Sequence, residues 1–122
     1  MDTPERFLDA LCERDFDRVA ACLSADVTLR AVLPPRFIDE RGATEIMMWL
    51  RRWYDGPSQY QGLDRQIDTV AGRARLSWRM RAEPHPVNGD PRGHVIEQIV
   101  FCDHDGDTVT GLDLLCSGFR PE

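Results

Sequence analysis

The chain has no surplus of positive charge: 15 basic residues stand against 21 acidic ones, giving a formal net charge of -6 and a pI near 5.0. Nucleic-acid affinity comes largely from neutralising backbone phosphates with Lys and Arg, so this balance argues against DNA or RNA as a partner. Long hydrophobic runs are missing too. No segment approaches the ~20 apolar residues that span a bilayer, and the opening MDTPERF lacks the basic-then-apolar order of a secretory signal. A cytoplasmic location with no membrane partner is expected.

Close cysteine pairs are also lacking. Cys12, Cys22, Cys102 and Cys116 show no zinc-ribbon or redox spacing, and read as free, buried thiols in a reducing compartment. His85, His94 and His104 show no metal-ligand spacing on a helix or hairpin, so neither a metal nor a cofactor is expected. No repeat, low-complexity tract or linker divides the chain. With 122 residues, 42% hydrophobic and 30% charged, it is sized for one globular domain over residues 1–122.

What is present is periodicity. Thr3-Pro4 opens a first helix with Phe7, Leu8, Leu11 and Cys12 on one face. Asp15 caps a second, in which Phe16, Val19, Ala20 and Leu23 recur at helical spacing before Ser24-Ala25-Asp26 breaks the pattern. Residues Val27 to Leu33 alternate as a strand, and Pro34-Pro35 ends it. A loop through Glu40-Arg41-Gly42 leads to a third helix striped with Ile46, Trp49, Leu50 and Trp53, stopped at Asp55-Gly56-Pro57. Strands are expected over Gln59–Ala71, Arg73–Glu83, His94–Cys102 and Thr108–Cys116, with a tight turn at Gly72 and a hairpin turn over Asp103–Asp107. Such an arrangement is expected to form an antiparallel sheet.

This order of elements resembles the nuclear transport factor 2-like superfamily. The segments that carry the likeness are FLDALCERDFDRVAACLSADVTL, GATEIMMWLRRWY and VIEQIVFCDHDGDTVTGLDLLCSGF. The resemblance implies an α+β cone in which three N-terminal helices pack in a strongly curved antiparallel sheet, as in cystatin-like folds. It also implies an apolar pocket between helices and sheet and a homodimer through the convex sheet face. The superfamily includes SnoaL-like polyketide cyclases, ketosteroid isomerases, epoxide hydrolases and non-catalytic assembly modules, so the fold leaves the function open. Where the isomerases carry their oxyanion-hole tyrosine this chain has Phe7, and where they carry the aspartate base it has Ala31.

Alternation also sorts the strands. Ala74, Leu76, Trp78, Met80 and Ala82 are expected on the inner face, and Arg73, Arg75, Ser77, Arg79 and Arg81 on the outer one. A symmetric register sets Arg79 opposite Glu97, Trp78 opposite Gln98, Glu97 near Asp113 and His94 near Cys116. The pocket candidates are therefore Trp49, Trp53, Trp78, Met80, His94, Gln98, Leu112 and Cys116, with a small apolar or aromatic molecule as ligand. Gln98 either orients that ligand or is a structural amide. His94 and Cys116, if adjacent, would form a thiolate–imidazole pair. Arg79, Glu97 and Asp113 are the catalytic candidates: an arginine between two acids can hold their protonation states apart for hydrolysis. Their place on the outer face favours the other reading of the trio, a cross-strand ion cluster or dimer contact.

Overall fold

Asp2, one residue before the expected cap, accepts a hydrogen bond from the Glu5 amide at 3.0 Å and starts helix α1, Thr3–Cys12. Thr3 instead sends its hydroxyl to the Gly106 carbonyl at 2.7 Å, tying the helix to the far hairpin. Asp15 caps α2, Phe16–Cys22, as expected, through the Arg18 amide. Both short helices are held by burial of Phe7, Leu8, Leu11, Phe16 and Val19 rather than by length, which alone would leave them marginal.

The computed structural model describes residues 1–56 and 58–122, so Pro57 of the expected helix stop lies outside the described residues. Strand β1, Leu23–Leu33, begins earlier than expected, and Ser24-Ala25-Asp26 belongs to it. Its register with its parallel neighbour shifts between Leu23 and Thr28, and that irregularity is what looks like a break in sequence. Strand β2, Arg36–Arg41, occupies most of what reads as a loop. Helix α3, Ala43–Tyr54, follows Gly42, whose φ of 99° is a conformation that suits glycine.

Strands β3 (Gln59–Val70), β4 (Arg73–Glu83), β5 (His94–His104), β6 (Val109–Cys116) and the short β7 (Arg120–Pro121) complete the sheet. Its order is β2-β1-β6-β5-β4-β3, with β7 paired to β5. The sheet is mixed, because β1 and β6 run parallel. A strand's alternation reports which face it buries and carries no sign of its neighbour's direction. The β3–β4 turn is Ala71-Gly72, with φ of 52° and 80°, the positive pair that a tight two-residue hairpin demands.

The apolar core lies between the inner sheet face and the three helices, running from Phe7 and Leu11 through Ile46, Leu50 and Trp53 to Leu76, Trp78, Ile96 and Leu112. Strand β3 stands apart from it. Its residues are almost all exposed, and β4 is the one element with which it shares extensive contact.

Candidate functional site

The inner face carries a short chain of buried polar groups. Tyr54 donates its hydroxyl hydrogen to Gln98 Oε1 at 2.5 Å and accepts from Trp78 Nε1 at 2.9 Å. The other end of the Gln98 amide donates to Cys116 Sγ at 3.2 Å. All four side chains are buried, and Gln98 is 0% exposed. Burial pushes the Tyr54 phenol well above its ordinary range, outweighing the Trp78 hydrogen bond that favours the phenolate. Tyr54 is therefore a neutral donor, and among the described residues no buried side-chain polar atom lacks a partner.

Between α1 and β3 the cone stays open. Leu63 and Ile67, both exposed, face the helix across two adjoining grooves of about 370 and 320 Å3. Cys12 and Met80 border the first, Leu8 and Asp9 the second, and Arg65 stands between them. Arg65 approaches Asp9 at 3.4 Å, while Arg18 holds the same carboxylate more closely at 2.9 Å. The Arg18 hydrogen bond is the main reason that the Asp9 pKa is lowered.

The outer face is ordered into ranks that cross the strands, because in-register partners point the same way. One rank reads Asp39, Arg30, Asp113, Phe101, Arg75, Asp68. Asp113 takes Arg30 at 2.7 Å and Arg73 at 2.8 Å, and these arginines, Arg30 first, hold its carboxyl below the usual range. The next rank reads Phe37, Val32, Leu115, Ile99, Ser77, Gln66, so its first four members are apolar. Phe37 is 65% exposed, Leu115 55% and Val32 45%. These two ranks line a broad groove of about 830 Å3.

Arg79 and Glu97 are cross-strand partners as expected, and both lie exposed on this outer face. Asp113 does not join them. The β5–β6 hairpin pairs Glu97's neighbour Gln98 with Cys116 and Asp113 with Phe101, four residues away from the expected register. Two features cause this: Asp105 accepts from the Asp107 and Thr108 amides at 2.9 and 2.7 Å, which moves the reversal to 105–108 and prolongs β5 through His104, and a bulge between Asp103 and His104 adds one more residue. A shift of four is even, so every residue keeps its face while changing its partner. The in-register neighbours of Arg79 are Glu97 and Asp64, and no ion pair joins these three among the described residues.

The shifted register also separates His94 from Cys116. His94 is buried opposite Ala82 and Pro121, with Nδ1 at 2.7 Å from the Arg92 carbonyl and Nε2 at 3.6 Å from Asp90. His85 stands edge-on to it, ring centroids 4.9 Å apart, and accepts the Val87 and Asn88 amides at Nδ1. Desolvation lowers the His85 pKa. Of the other candidates, Trp53, Trp78, Met80, Gln98, Leu112 and Cys116 are buried on the inner side, and Trp49 is half-buried beside Trp53. Leu63 and Arg65 were not legible as groove residues, since β3 has no clean apolar alternation. Their signal was position alone: Arg65 is the in-register partner of inward-facing Trp78.

No protein-family model and no curated protein matches the sequence. Solved structures do match in shape. A provisionally named isomerase from Rhodopseudomonas palustris aligns with a TM-score of 0.72 at 16% identity, over 97% of this chain and 91% of that one. A nuclear transport factor 2-like protein from Burkholderia xenovorans LB400 aligns with a TM-score of 0.70 at 12% identity, over 94% and 86%. A provisionally named SnoaL-like polyketide cyclase from Shewanella putrefaciens aligns with a TM-score of 0.71 at 15% identity, over 93% and 77%. The fold is therefore the nuclear transport factor 2-like α+β cone.

Proposed function

We propose that this chain, as one domain over residues 1–122, is a small-molecule-binding protein that works as a homodimer. The observation that carries the first part is the open side of the cone. Leu63 and Ile67 lie exposed across from α1, above Leu8, Cys12 and Met80, so apolar side chains line part of a concavity whose remaining lining is mostly polar, Glu5, Asp9, Glu13 and Arg65 among it. Ligand sites are typically concave and mostly apolar with a few fixed polar groups. Gln98, tied to Tyr54, and His94 are buried and line neither groove, and the expected ligand is a small apolar or aromatic molecule. All four thiols are free, which suits the reducing cytoplasm.

A thermal-shift titration with neutral bicyclic aromatics tests the reading. Saturation near ten times Kd should raise Tm by about 5 °C, and Leu63→Asp should abolish the shift without lowering the unliganded Tm, because Leu63 is exposed. No shift with any such probe counts against a binding role.

The alternative of a non-catalytic dimerisation module shares the second part of the proposal, which the apolar rank Phe37, Val32, Leu115 and Ile99 supports. An exposed apolar patch of this extent is characteristic of an association surface. Leu115→Asp should convert a sedimenting dimer into a monomer with an unchanged circular-dichroism spectrum. A wild-type chain that sediments as a monomer at all concentrations would rule out the dimer.

The enzymatic alternatives have less support. A SnoaL-like cyclase or isomerase would act from the inner face, where Phe7 and Ala31 provide neither phenol nor carboxylate. The epoxide-hydrolase-like trio is divided, with Asp113 held by Arg30 and Arg73.

A further inference from the structure

Resting on the homodimer reading above, we infer that the two-fold axis of the pair lies along the strands, between β1 and β6. Two sheets facing each other must be exchanged by an axis in the plane between them, so the pattern of ranks decides where that axis can lie. An axis between β1 and β6 sets β1 on the partner's β6 and β2 on the partner's β5, and leaves each rank facing its own kind. Val32 then meets the partner's Leu115, and Phe37 enters the groove beside the partner's Ile99. Arg30 meets the partner's Asp113. One rank further, Arg41 meets the partner's Asp103 and Thr28 the partner's Gly111.

Other placements fail on charge. Between β6 and β5 the axis would set Arg30 on the partner's Arg75 and Asp39 on the partner's Asp68. Between β5 and β4 it would set Ile99 on the partner's Ser77 and leave Phe37 and Val32 uncovered. An axis across the strands puts Arg30 on the partner's Arg30 when it follows the charged rank. When it follows the apolar rank, Arg75 faces the partner's Arg79. Like charges brought together disfavour such pairings. The chosen axis closes a neutral ring of two Arg30 and two Asp113 side chains, and Phe37 becomes the aromatic anchor in a pocket that interfaces of this kind use.

The test is charge exchange between two populations of the full chain. Arg30→Glu and Asp113→Lys should each weaken self-association by about tenfold or more, since each sets like charges together across the axis. Mixed, they should assemble preferentially as heterodimers, because Glu at 30 meets Lys at 113 and the native Arg30 meets the native Asp113. Sedimentation velocity with one population fluorescently labelled reads the heterodimer fraction. Heterodimers in clear excess over either homodimer, both for this pair and for Arg41→Glu with Asp103→Lys, support the axis, because an axis across the strands along the charged rank would favour the first mixture alone. A wild-type dimer whose variants show no such preference, or show it for the first pair alone, overturns the axis and leaves the dimer reading intact, whereas a monomeric wild type overturns the dimer itself. If either variant loses its folded circular-dichroism spectrum, Arg41→Glu with Asp103→Lys serves as the same test one rank away.

Discussion

Ala31→Asp is expected to remove a large part of the folding stability, roughly 4 kcal/mol or more out of a total on the order of 5–15 kcal/mol. Ala31 is 0% exposed, and its in-register neighbours Ile38 and Leu114 are both buried. A carboxylate there has neither water nor a cation, and burial therefore raises its folded pKa above the ~3.9 of the unfolded chain. The native state then binds more protons than the unfolded one between those two values. The variant's deficit should accordingly be smallest below about pH 4 and grow as pH rises, until the folded carboxyl itself ionises. Ala31→Asn, with similar volume and no charge, should show a pH-independent loss. Denaturant melts of both variants across pH 3 to 8 make the comparison. A carboxylate tolerated within about 1 kcal/mol at neutral pH would mean that water reaches this position, and an isomerase-like base could then be accommodated there.

Position 31 also shows what the sequence can disclose. Alternation along β1, β4, β5 and β6 identified the inner residues, because burial on one face leaves a period of two in the residue types. Arg73–Glu83 has its expected bounds, and Arg79–Glu97 and Trp78–Gln98 are partners as read. Features without such a period were lost. β2 has a single fully buried residue, Ile38, so Arg36–Arg41 reads as a polar loop. The parallel pairing of β1 and β6 depends on where the chain returns after 75 or more intervening residues, which no local pattern encodes.

The candidate site was legible to the same degree. Which face each side chain occupies followed from alternation, so Gln98 was placed inward and Glu97 outward. Which side chains touch depended on hairpin register, and the Asp105-capped turn together with a bulge between Asp103 and His104 moved that register by four residues. Asp113 consequently pairs with Arg30 and Arg73, and the Arg79, Glu97 and Asp113 trio does not assemble. The role of Tyr54 was hidden for a different reason. Helical periodicity places its ring in the core, but the partners of its hydroxyl come from β4 and β5, and these positions follow from the curvature of the sheet.

Tyr54→Phe should cost about 2–5 kcal/mol, more than Gln98→Leu at about 1–3 kcal/mol, although both delete polar atoms from the same network. The ordering follows from what each change orphans. Removing the Tyr54 hydroxyl leaves two buried groups unpaired, the Gln98 Oε1 acceptor and the Trp78 Nε1 donor. Removing the Gln98 amide leaves the Tyr54 hydroxyl hydrogen without its acceptor, while Cys116 Sγ keeps the Gly118 amide at 3.3 Å. In the double variant the Trp78 donor is the one member of the trio still unpaired. The combined loss should therefore fall short of the sum by the penalty of two orphaned groups, about 2 kcal/mol or more, a coupling that a double-mutant cycle from denaturant melts can resolve. The same cycle bears on binding. If Gln98 serves to hold Tyr54 and Trp78 in place, neutral aromatic probes should bind the double variant with nearly wild-type affinity through Leu63, Ile67 and Met80. If Gln98 instead bonds to the ligand, affinity falls in Gln98→Leu and is not restored by adding Tyr54→Phe.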